Sequence, residues 1–519
     1  MIKDYFNEQI LHNLGFSPTN QQREVVNLLT DFLLNPVQDG VFILRGYAGT
    51  GKTSLMAALV KTIAEIKQAA AASVPSAEKA KSDSDTSMSL VLLAPTGRAA
   101  KVFSLYSDHP AYTIHKRIYR QKSIDQDSLF EINFNMKANL LFICDEASMI
   151  SNDQYTGGSM YGTGRLLEDL VHYVYNGKGC RLILMGDTAQ LPPVGDGESP
   201  ALQDDELRCL GLDVTSYTMT QVVRQTESSG ILWNATHLRQ LMDTEDIFSL
   251  PKIRFNGFAD VKIVPGDELI DALEQCYEHD GEDDTIVVTR SNKRAVVYNN
   301  GIRNQILWRE ELLSSGDRIM IAKNNYFWCA PTPSDEKENG EADPYQSLGG
   351  FIANGNMAVI KRVYNEREFY GFTFADVELT LPDYDDIILS CTVILDTLQA
   401  EAPSLTAEQQ SILYNKVYED YEEINIAKPG ERPQWKRATK KERLEAMKRD
   451  PYFNALQIKY AYAITCHKAQ GGQWKNVFID QGYMTDDMLG PDYFRWLYTA
   501  ITRATGTVYF VNWKPEQTL

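Results

Sequence analysis

Residues Gly46-Tyr47-Ala48-Gly49-Thr50-Gly51-Lys52-Thr53, followed by Ser54, restrict this chain more than any other stretch. They lie between an apolar run, Val41 to Leu44, and a segment with helical spacing, Leu55 to Ile66. The context is therefore strand, glycine-rich turn, helix, and the spacing is G-x-x-x-x-G-K-T, a phosphate-cradling loop. Gly46, Gly49 and Gly51 carry no Cβ, so the backbone N–H groups from Ala48 through Ser54 can close round phosphate oxygens. The helix beginning near Lys52 adds a partial positive charge. Lys52 is placed to reach the β- and γ-phosphates, and Thr53 to offer a hydroxyl to Mg²⁺.

The same plan of apolar strand followed by polar turn recurs. Leu140 to Cys144 ends in Asp145-Glu146-Ala147-Ser148. Asp145 suits Mg²⁺, and Glu146 suits polarising an attacking water. Arg181 to Met185 ends in Gly186-Asp187-Thr188-Ala189-Gln190-Leu191-Pro192-Pro193, where Gln190 is placed to sense a γ-phosphate or a water. Val91 to Leu93 ends in Pro95-Thr96-Gly97-Arg98, where an open parallel sheet binds ligands, and Thr96 with the backbone after it suits a phosphodiester. Four such units indicate an α/β chain built on a doubly covered parallel sheet.

At 519 residues the chain should form about three or four domains. No stretch approaches the ~20 apolar residues of a membrane span, so no membrane partner is expected. The N-terminus lacks the apolar core of a signal peptide, and the seven cysteines are scattered without a CxxC pair. A reduced, cytoplasmic chain is the expectation. The net charge of −19 argues against nonspecific nucleic-acid binding, since the overall field repels phosphates. Any nucleic-acid contact must use a local groove.

Elsewhere, Thr19 reads as the N-cap of a helix carrying Gln22, whose amide could pair with an adenine. Thr113, His115, Lys116 and Arg117 suggest a nucleic-acid backbone contact. Lys122 to Met136 reads as a protruding hairpin with Ser123 to Asp127 at its turn. A second lobe is expected from near Leu202, with Val214 to Met219 and Thr285 to Thr289 as strands. Arg318 to Ile321, Met357 to Val363, Val377 to Leu381 and Ile387 to Leu395 read as a small inserted β-barrel. The Ala- and Ser-rich tract from Gln68 to Ser87 reads as a mobile surface insertion, and the basic cluster from Lys436 to Arg449 as a solvated helix face, with a nucleic-acid backbone contact as the alternative.

Tyr462 to Gly471 and Leu497 to Ala504 complete a series of motifs running in order from Thr19 to Ala504. In that series the chain resembles superfamily 1B DNA helicases of the RecD/Dda type. The resemblance implies two RecA-like P-loop lobes, a β-hairpin pin and an inserted SH3-like barrel. It implies lobe 1A over residues 1–112 and 139–201, the pin (1B) over 113–138, lobe 2A over 202–315 and 457–519, and the barrel with a helical insertion (2B) over 316–456. Gln22 resembles the adenine-sensing glutamine, Gln190 the coupling glutamine, and Arg224 and Arg503 the two arginines that approach the γ-phosphate. With Lys52 and Glu146 these form the implied catalytic set, and Gly471 joins the nucleotide contacts. Pro95, Thr96, Gly97, Arg98, Thr113, His115, Ser291, Asn292, Thr465, His467 and Lys468 resemble strand-contacting positions. Phe130, with Phe134, is a candidate for the base-splitting aromatic of the pin.

The expectation is an ATP- and Mg²⁺-dependent helicase acting on single-stranded and forked DNA, with 5′→3′ polarity implied by the resemblance alone. A monomer is expected, with replication or repair proteins as further partners. Two alternatives stay open. One is a single-strand translocase that displaces proteins. The other is an ATP-switched binding subunit of a nuclease or recombination complex. The residues Tyr384 to Asp450 exceed the family's usual barrel and carry no role by resemblance.

Overall fold

A computed structural model describes the chain except residues 1, 36, 74–87, 122–129, 154–161, 223–228, 330–351, 385, 426–431 and 486–487. The chain divides into two compact units. One comprises Met1–Gly266, Ala469–Ile479 and Tyr483–Leu519, and the other Asp267–Lys468 with Asp480–Gly482.

The first unit is built on six parallel strands. Their order is Ala111–Thr113, Ser89–Ala94, Leu140–Cys144, Arg181–Gly186, Gly40–Gly46 and Asp213–Met219. Leu140–Cys144 is buried at every position, as an unbroken apolar run requires when helices cover both sheet faces. The helices Ile2–Asn13, Asn20–Leu34 and Lys52–Ser73 pack on one face. There Ile10, Val25, Val26, Leu29, Leu55, Met56 and Leu59 join Phe42, Leu44 and Ile143 in one core. The helix after the P-loop runs to Ser73, further than the periodicity suggested, because the alanines that follow are strong helix formers. The rest of the tract expected to be an insertion lies outside the described residues.

The strand Asp213–Met219 departs from expectation. It pairs in parallel with Gly40–Gly46, from Gly40 opposite Asp213 to Gly46 opposite Met219. It therefore closes the edge of the first sheet, beyond the expected boundary at 202. The edge beside the P-loop strand was open to one more partner, and strand order is invisible to a period-two reading. A further parallel group in this unit has the order Trp474–Asp480, Ala504–Val511, Val261–Val264.

The second unit holds a parallel pair, Thr285–Thr289 beside Ala463–Thr465, and a closed barrel. The barrel strands are Arg318–Ile321, Met357–Phe369, Phe372–Leu381, Ile387–Ile394 and Leu456–Tyr460. The fifth strand falls where the second lobe was expected to resume at 457. It closes the barrel by pairing antiparallel to Arg318–Ile321 and parallel to Ile387–Ile394. Its alternation of buried Leu456, Ile458 and Tyr460 suits a barrel wall. Thr397 Oγ1 donates to the Ile458 carbonyl at 2.8 Å and pins this strand.

The insertion folds as helices Ala407–Asp420 and Lys440–Lys448 around a short hairpin, Glu423–Asn425 with Trp435–Arg437. Leu413, Val417 and Met447 pack with Phe372 and Phe374 of the barrel. Capping boxes at Thr406/Gln409 and Thr439/Glu442 begin the two helices, the first as its sequence indicated. In the basic cluster Lys436 pairs with Glu442, Arg437 with Glu422 and Lys441 with Glu445, the pattern of a solvated surface.

Candidate active site

Four parallel strands of the first sheet deliver polar turns at their C-terminal ends. The loop after Gly40–Gly46 takes left-handed backbone at Gly49 (φ 77°) and Gly51 (φ 86°). At Gly49 a side chain is also sterically excluded: a Cβ there would stand 2.9 Å from Leu232 Cδ2 and 3.0 Å from Val222 Cγ1. Lys52 Nζ lies over the loop, donating to the carbonyls of Gly46 at 2.5 Å and Tyr47 at 3.2 Å. Thr50 is fully buried, with Oγ1 donating to the Tyr47 carbonyl.

Thr53 Oγ1 donates to Asp145 Oδ2 at 3.3 Å, joining the P-loop helix to the end of Leu140–Cys144. Burial, and then the Glu146 charge next to it, push the Asp145 carboxyl up to about 7. A buried carboxyl so perturbed, with a second carboxylate and a threonine hydroxyl beside it, fits an oxygen-ligated divalent cation, which would relieve both costs. Glu146 adopts left-handed backbone (φ 51°, ψ 37°), and its N–H donates to Asp145 Oδ1 at 2.7 Å. That conformation costs a non-glycine residue energy, and such strain gathers at functional sites.

Arg503 brings the opposite charge. It is 3% exposed, and its Nη1 lies 4.0 Å from Glu146 Oε1. Its guanidinium is held in the plane by the Thr499 carbonyl at 3.1 Å, the Gly472 carbonyl at 3.2 Å and Thr502 Oγ1 at 3.3 Å. Gln190 is buried, and its Oε1 has no hydrogen-bond partner. A buried amide oxygen left open costs energy and calls for a donor such as a positioned water. Lys52, Thr53, Asp145, Glu146, Gln190 and Arg503 are thus assembled within one unit. Arg224 lies outside the described residues.

The strand-contacting candidates fall at two matching places. In the first unit, Pro95–Arg98 and Thr113–His115 follow the neighbouring parallel strands Ser89–Ala94 and Ala111–Thr113. Thr96 Oγ1 and Thr113 Oγ1 each cap the helix that follows, accepting from the Ala99 and Lys116 N–H groups. Gly97 is buried in the first turn of its helix. Burial pushes the His115 imidazole down to about 4, so it is neutral at physiological pH. In the second unit, Ser291–Asn292 and Thr465–Lys468 follow Thr285–Thr289 and Ala463–Thr465, again parallel neighbours, with Thr289 opposite Thr465. Ser291 caps the helix Asn292–Gly301, and burial lowers Lys468 to about 8. Such strand ends are where open parallel sheets hold ligands.

Three assigned residues make contacts within the protein that the sequence did not indicate. Gln22 is fully buried and its amide is engaged at both ends: Oε1 accepts from the Thr19 N–H, and Nε2 donates to the Thr50 carbonyl at 3.2 Å. It braces its helix against the P-loop instead of offering an edge to a base, because the capping box claims its oxygen. Gly471 (φ 72°) packs on the strand-contacting turn, where a Cβ would meet Ala99 Cβ at 2.9 Å and Thr96 Oγ1 at 3.2 Å. The Arg98 guanidinium stacks on Trp474 at 4.0 Å and donates to the Gln473 carbonyl at 3.1 Å.

A strand pair forms here, but Tyr119–Gln121, antiparallel to Phe130–Ile132, lies before the expected start of the hairpin at Lys122. Its tip and the Phe130 side chain lie outside the described residues. Phe134 is 58% exposed beside the Arg120 guanidinium.

Sequence reasoning missed Tyr498 and Asp187 as site residues. Tyr498 OH donates to Asp187 Oδ2 at 2.7 Å and accepts from the Ala48 N–H at 2.9 Å. No local signal could have found them, since the helix of Tyr498 also carries Tyr493, Arg495 and Thr499, and its partners are distant in sequence.

Among the described residues, no helix is long and apolar enough to cross a membrane. Residues 19–247 match the family model described as an AAA domain, and residues 460–511 that of a UvrD-like helicase C-terminal domain. An uncharacterized protein of Methanocaldococcus jannaschii is 24% identical over 518 residues, covering 95% of this chain and 38% of that protein. The chain thus spans well under half of that relative. An uncharacterized protein of Acanthamoeba polyphaga mimivirus is 22% identical over 555 residues, covering 95% of this chain and 99% of its own length. Among solved structures, the chain is similar to a Pif1 helicase from Bacteroides in complex with ADP-AlF3 and single-stranded DNA. The identity is 15%, the TM-score 0.44, and the coverage 97% of this chain and 94% of that one. It is also similar to a Pif1 helicase from Candida albicans, with 14% identity, a TM-score of 0.37, and coverage of 97% and 96%.

Proposed function

We propose that this chain, whose residues 19–247 match an AAA domain and 460–511 a UvrD-like helicase C-terminal domain, is a superfamily 1B helicase that hydrolyses ATP to move 5′→3′ along single-stranded DNA and open forked duplexes. One observation carries the reading: Lys52, Thr53, Asp145, Glu146, Gln190 and Arg503 converge in one unit, with Arg503 4.0 Å from Glu146. That is a hydrolytic set, more than a nucleotide switch needs.

On this reading Lys52 leaves the loop carbonyls for the β- and γ-phosphates, and Thr53 with Asp145 holds Mg²⁺. The ion would neutralise phosphate charge. Glu146 takes the proton of the attacking water, and Gln190 orients that water through its open Oε1. Arg503, already planar and desolvated, meets the charge that spreads over the γ-oxygens. Loss of the γ-phosphate removes what Lys52 and Arg503 share, and that release alters the grip on DNA. Each unit offers its own turns to the strand, at Thr96 and Thr113 in the first and at Thr465 and His467 in the second, through backbone contacts. The hairpin that begins at Tyr119 acts as the pin.

The test is strand displacement on matched 5′-tailed and 3′-tailed duplexes, in DNA and in RNA, with ATP and Mg²⁺. Displacement of the 5′-tailed DNA is expected. ATPase stimulated by single strands without displacement would favour a protein-stripping translocase, and displacement from the 3′ tail would refute the polarity.

A further inference from the structure

The buried contacts of Tyr498 link pieces of the site that are far apart in sequence. Its hydroxyl is both acceptor and donor. It accepts from the Ala48 N–H in the P-loop at 2.9 Å and donates to Asp187 Oδ2 at 2.7 Å. Both side chains are 1% exposed. The other Asp187 oxygen accepts from the Ala189 N–H at 2.9 Å, which shapes the turn presenting Gln190. The far end of that turn is tied to the next residue of the same helix, since the Leu191 N–H donates to Thr499 Oγ1 at 2.9 Å. The Thr499 carbonyl in turn accepts from Arg503 Nε at 3.1 Å. One helix, Pro491–Ile501, thus touches the P-loop, both ends of the Gln190 turn, and the guanidinium beside Glu146.

A tyrosine that only filled space would be served by phenylalanine. Here the hydroxyl satisfies a loop N–H and a fully desolvated carboxylate at once, and the carboxylate has no water to fall back on. Burial and the Asp187 charge keep the phenol protonated, so it stays a donor at every working pH.

We infer that Tyr498 is a positioning residue: it sets the P-loop and the Gln190 turn in register with Arg503, so that hydrolysis proceeds only when the helix Pro491–Ile501 is seated. The inference rests on the reading of this site as an ATPase. Tyr498 is buried, so it acts through the groups its hydroxyl holds. Its effect should therefore appear in the rate of hydrolysis and not in the affinity for ATP.

The test is Tyr498→Phe in the full chain, which keeps the ring and removes the hydroxyl. Steady-state ATPase without DNA should show kcat lower by about tenfold or more, as expected for losing a hydrogen bond to a buried charge, with KM for ATP within about twofold. Amide exchange of the peptide containing Ala48 should quicken. A variant with wild-type kcat and unchanged Ala48 exchange overturns the inference, and so does one that only melts earlier. If Tyr498→Phe does not fold, Asp187→Asn takes its place with the same expected and refuting outcomes. Basal hydrolysis is read without DNA, so failure here is distinct from failure of the motor reading, which would appear as wild-type protein that hydrolyses ATP but ignores DNA.

Discussion

Glu146 sits at φ 51°, in left-handed backbone that a non-glycine residue adopts at a cost of roughly 1–2 kcal/mol. Its charge also helps to push the neighbouring Asp145 carboxyl up to about 7, after burial. Two substitutions separate these penalties. Glu146→Gln removes the charge and keeps the strained backbone. Glu146→Gly removes both, but gives the unfolded chain more freedom, which costs about 0.5–1 kcal/mol. The glycine variant should therefore be more stable than the glutamine variant by on the order of 0.5–1 kcal/mol. Both should exceed wild type at pH 8 in chelator, because a carboxyl raised by a neighbouring charge loses that penalty when the charge goes. Both should lose at least ~100-fold in ATPase kcat if Glu146 is the general base. Urea titration of the metal-free proteins, together with steady-state hydrolysis, reads both quantities. The strain argument fails if Glu146→Gly is less stable than Glu146→Gln. The base assignment fails if either variant keeps kcat within tenfold of wild type.

Lys52→Ala should abolish ATPase while leaving single-strand affinity within about threefold, and hydrolysis near the wild-type rate would remove Lys52 from the site. Deleting residues 123–127 should spare strand-stimulated ATPase and impair unwinding, whereas equal loss of both would refute the pin. Arg303 and Asp317 form a buried pair at 3.0 Å, 4% and 0% exposed, and Arg309 also reaches Asp317. Arg303→Met should destabilise by about 3 kcal/mol, the low end for a broken buried pair because Arg309 remains, as measured by urea unfolding. The His115 imidazole, lowered to about 4, binds its proton more readily when unfolded. Its contribution is present above pH 6.5 and is lost as pH falls toward 4, by at most about 3 kcal/mol. His115→Gln should flatten that part of the stability–pH curve, and an unchanged slope would refute the burial argument.

The candidate site of this protein was legible in its sequence wherever it depends on a local run of residues. A phosphate cradle needs consecutive N–H groups at one turn, so Gly46–Thr53 declares itself by spacing alone. Carboxylates at strand ends, Asp145 and Glu146, follow from the apolar run before them. The capping box at Thr406 and four of the five barrel strands were legible for the same reason, since period and cap chemistry are local.

Tertiary structure decided what depends on pairing between distant segments. Strand order is one such property: Asp213–Met219 has the same character in either lobe, and only its hydrogen bonds to Gly40–Gly46 assign it. Leu456–Tyr460 likewise becomes a barrel wall only beside Arg318–Ile321 and Ile387–Ile394. The direction of a polar side chain is another. Gln22 and Arg98 carry groups suited to ligands, and the Thr50 carbonyl and the Trp474 ring engage them within the protein. Tyr498 shows the converse. Nothing in its neighbours announces a role, because its two partners lie 450 and 311 residues away along the chain. A buried hydroxyl takes its meaning from the groups that folding brings to it, and those are set by packing, not by spacing.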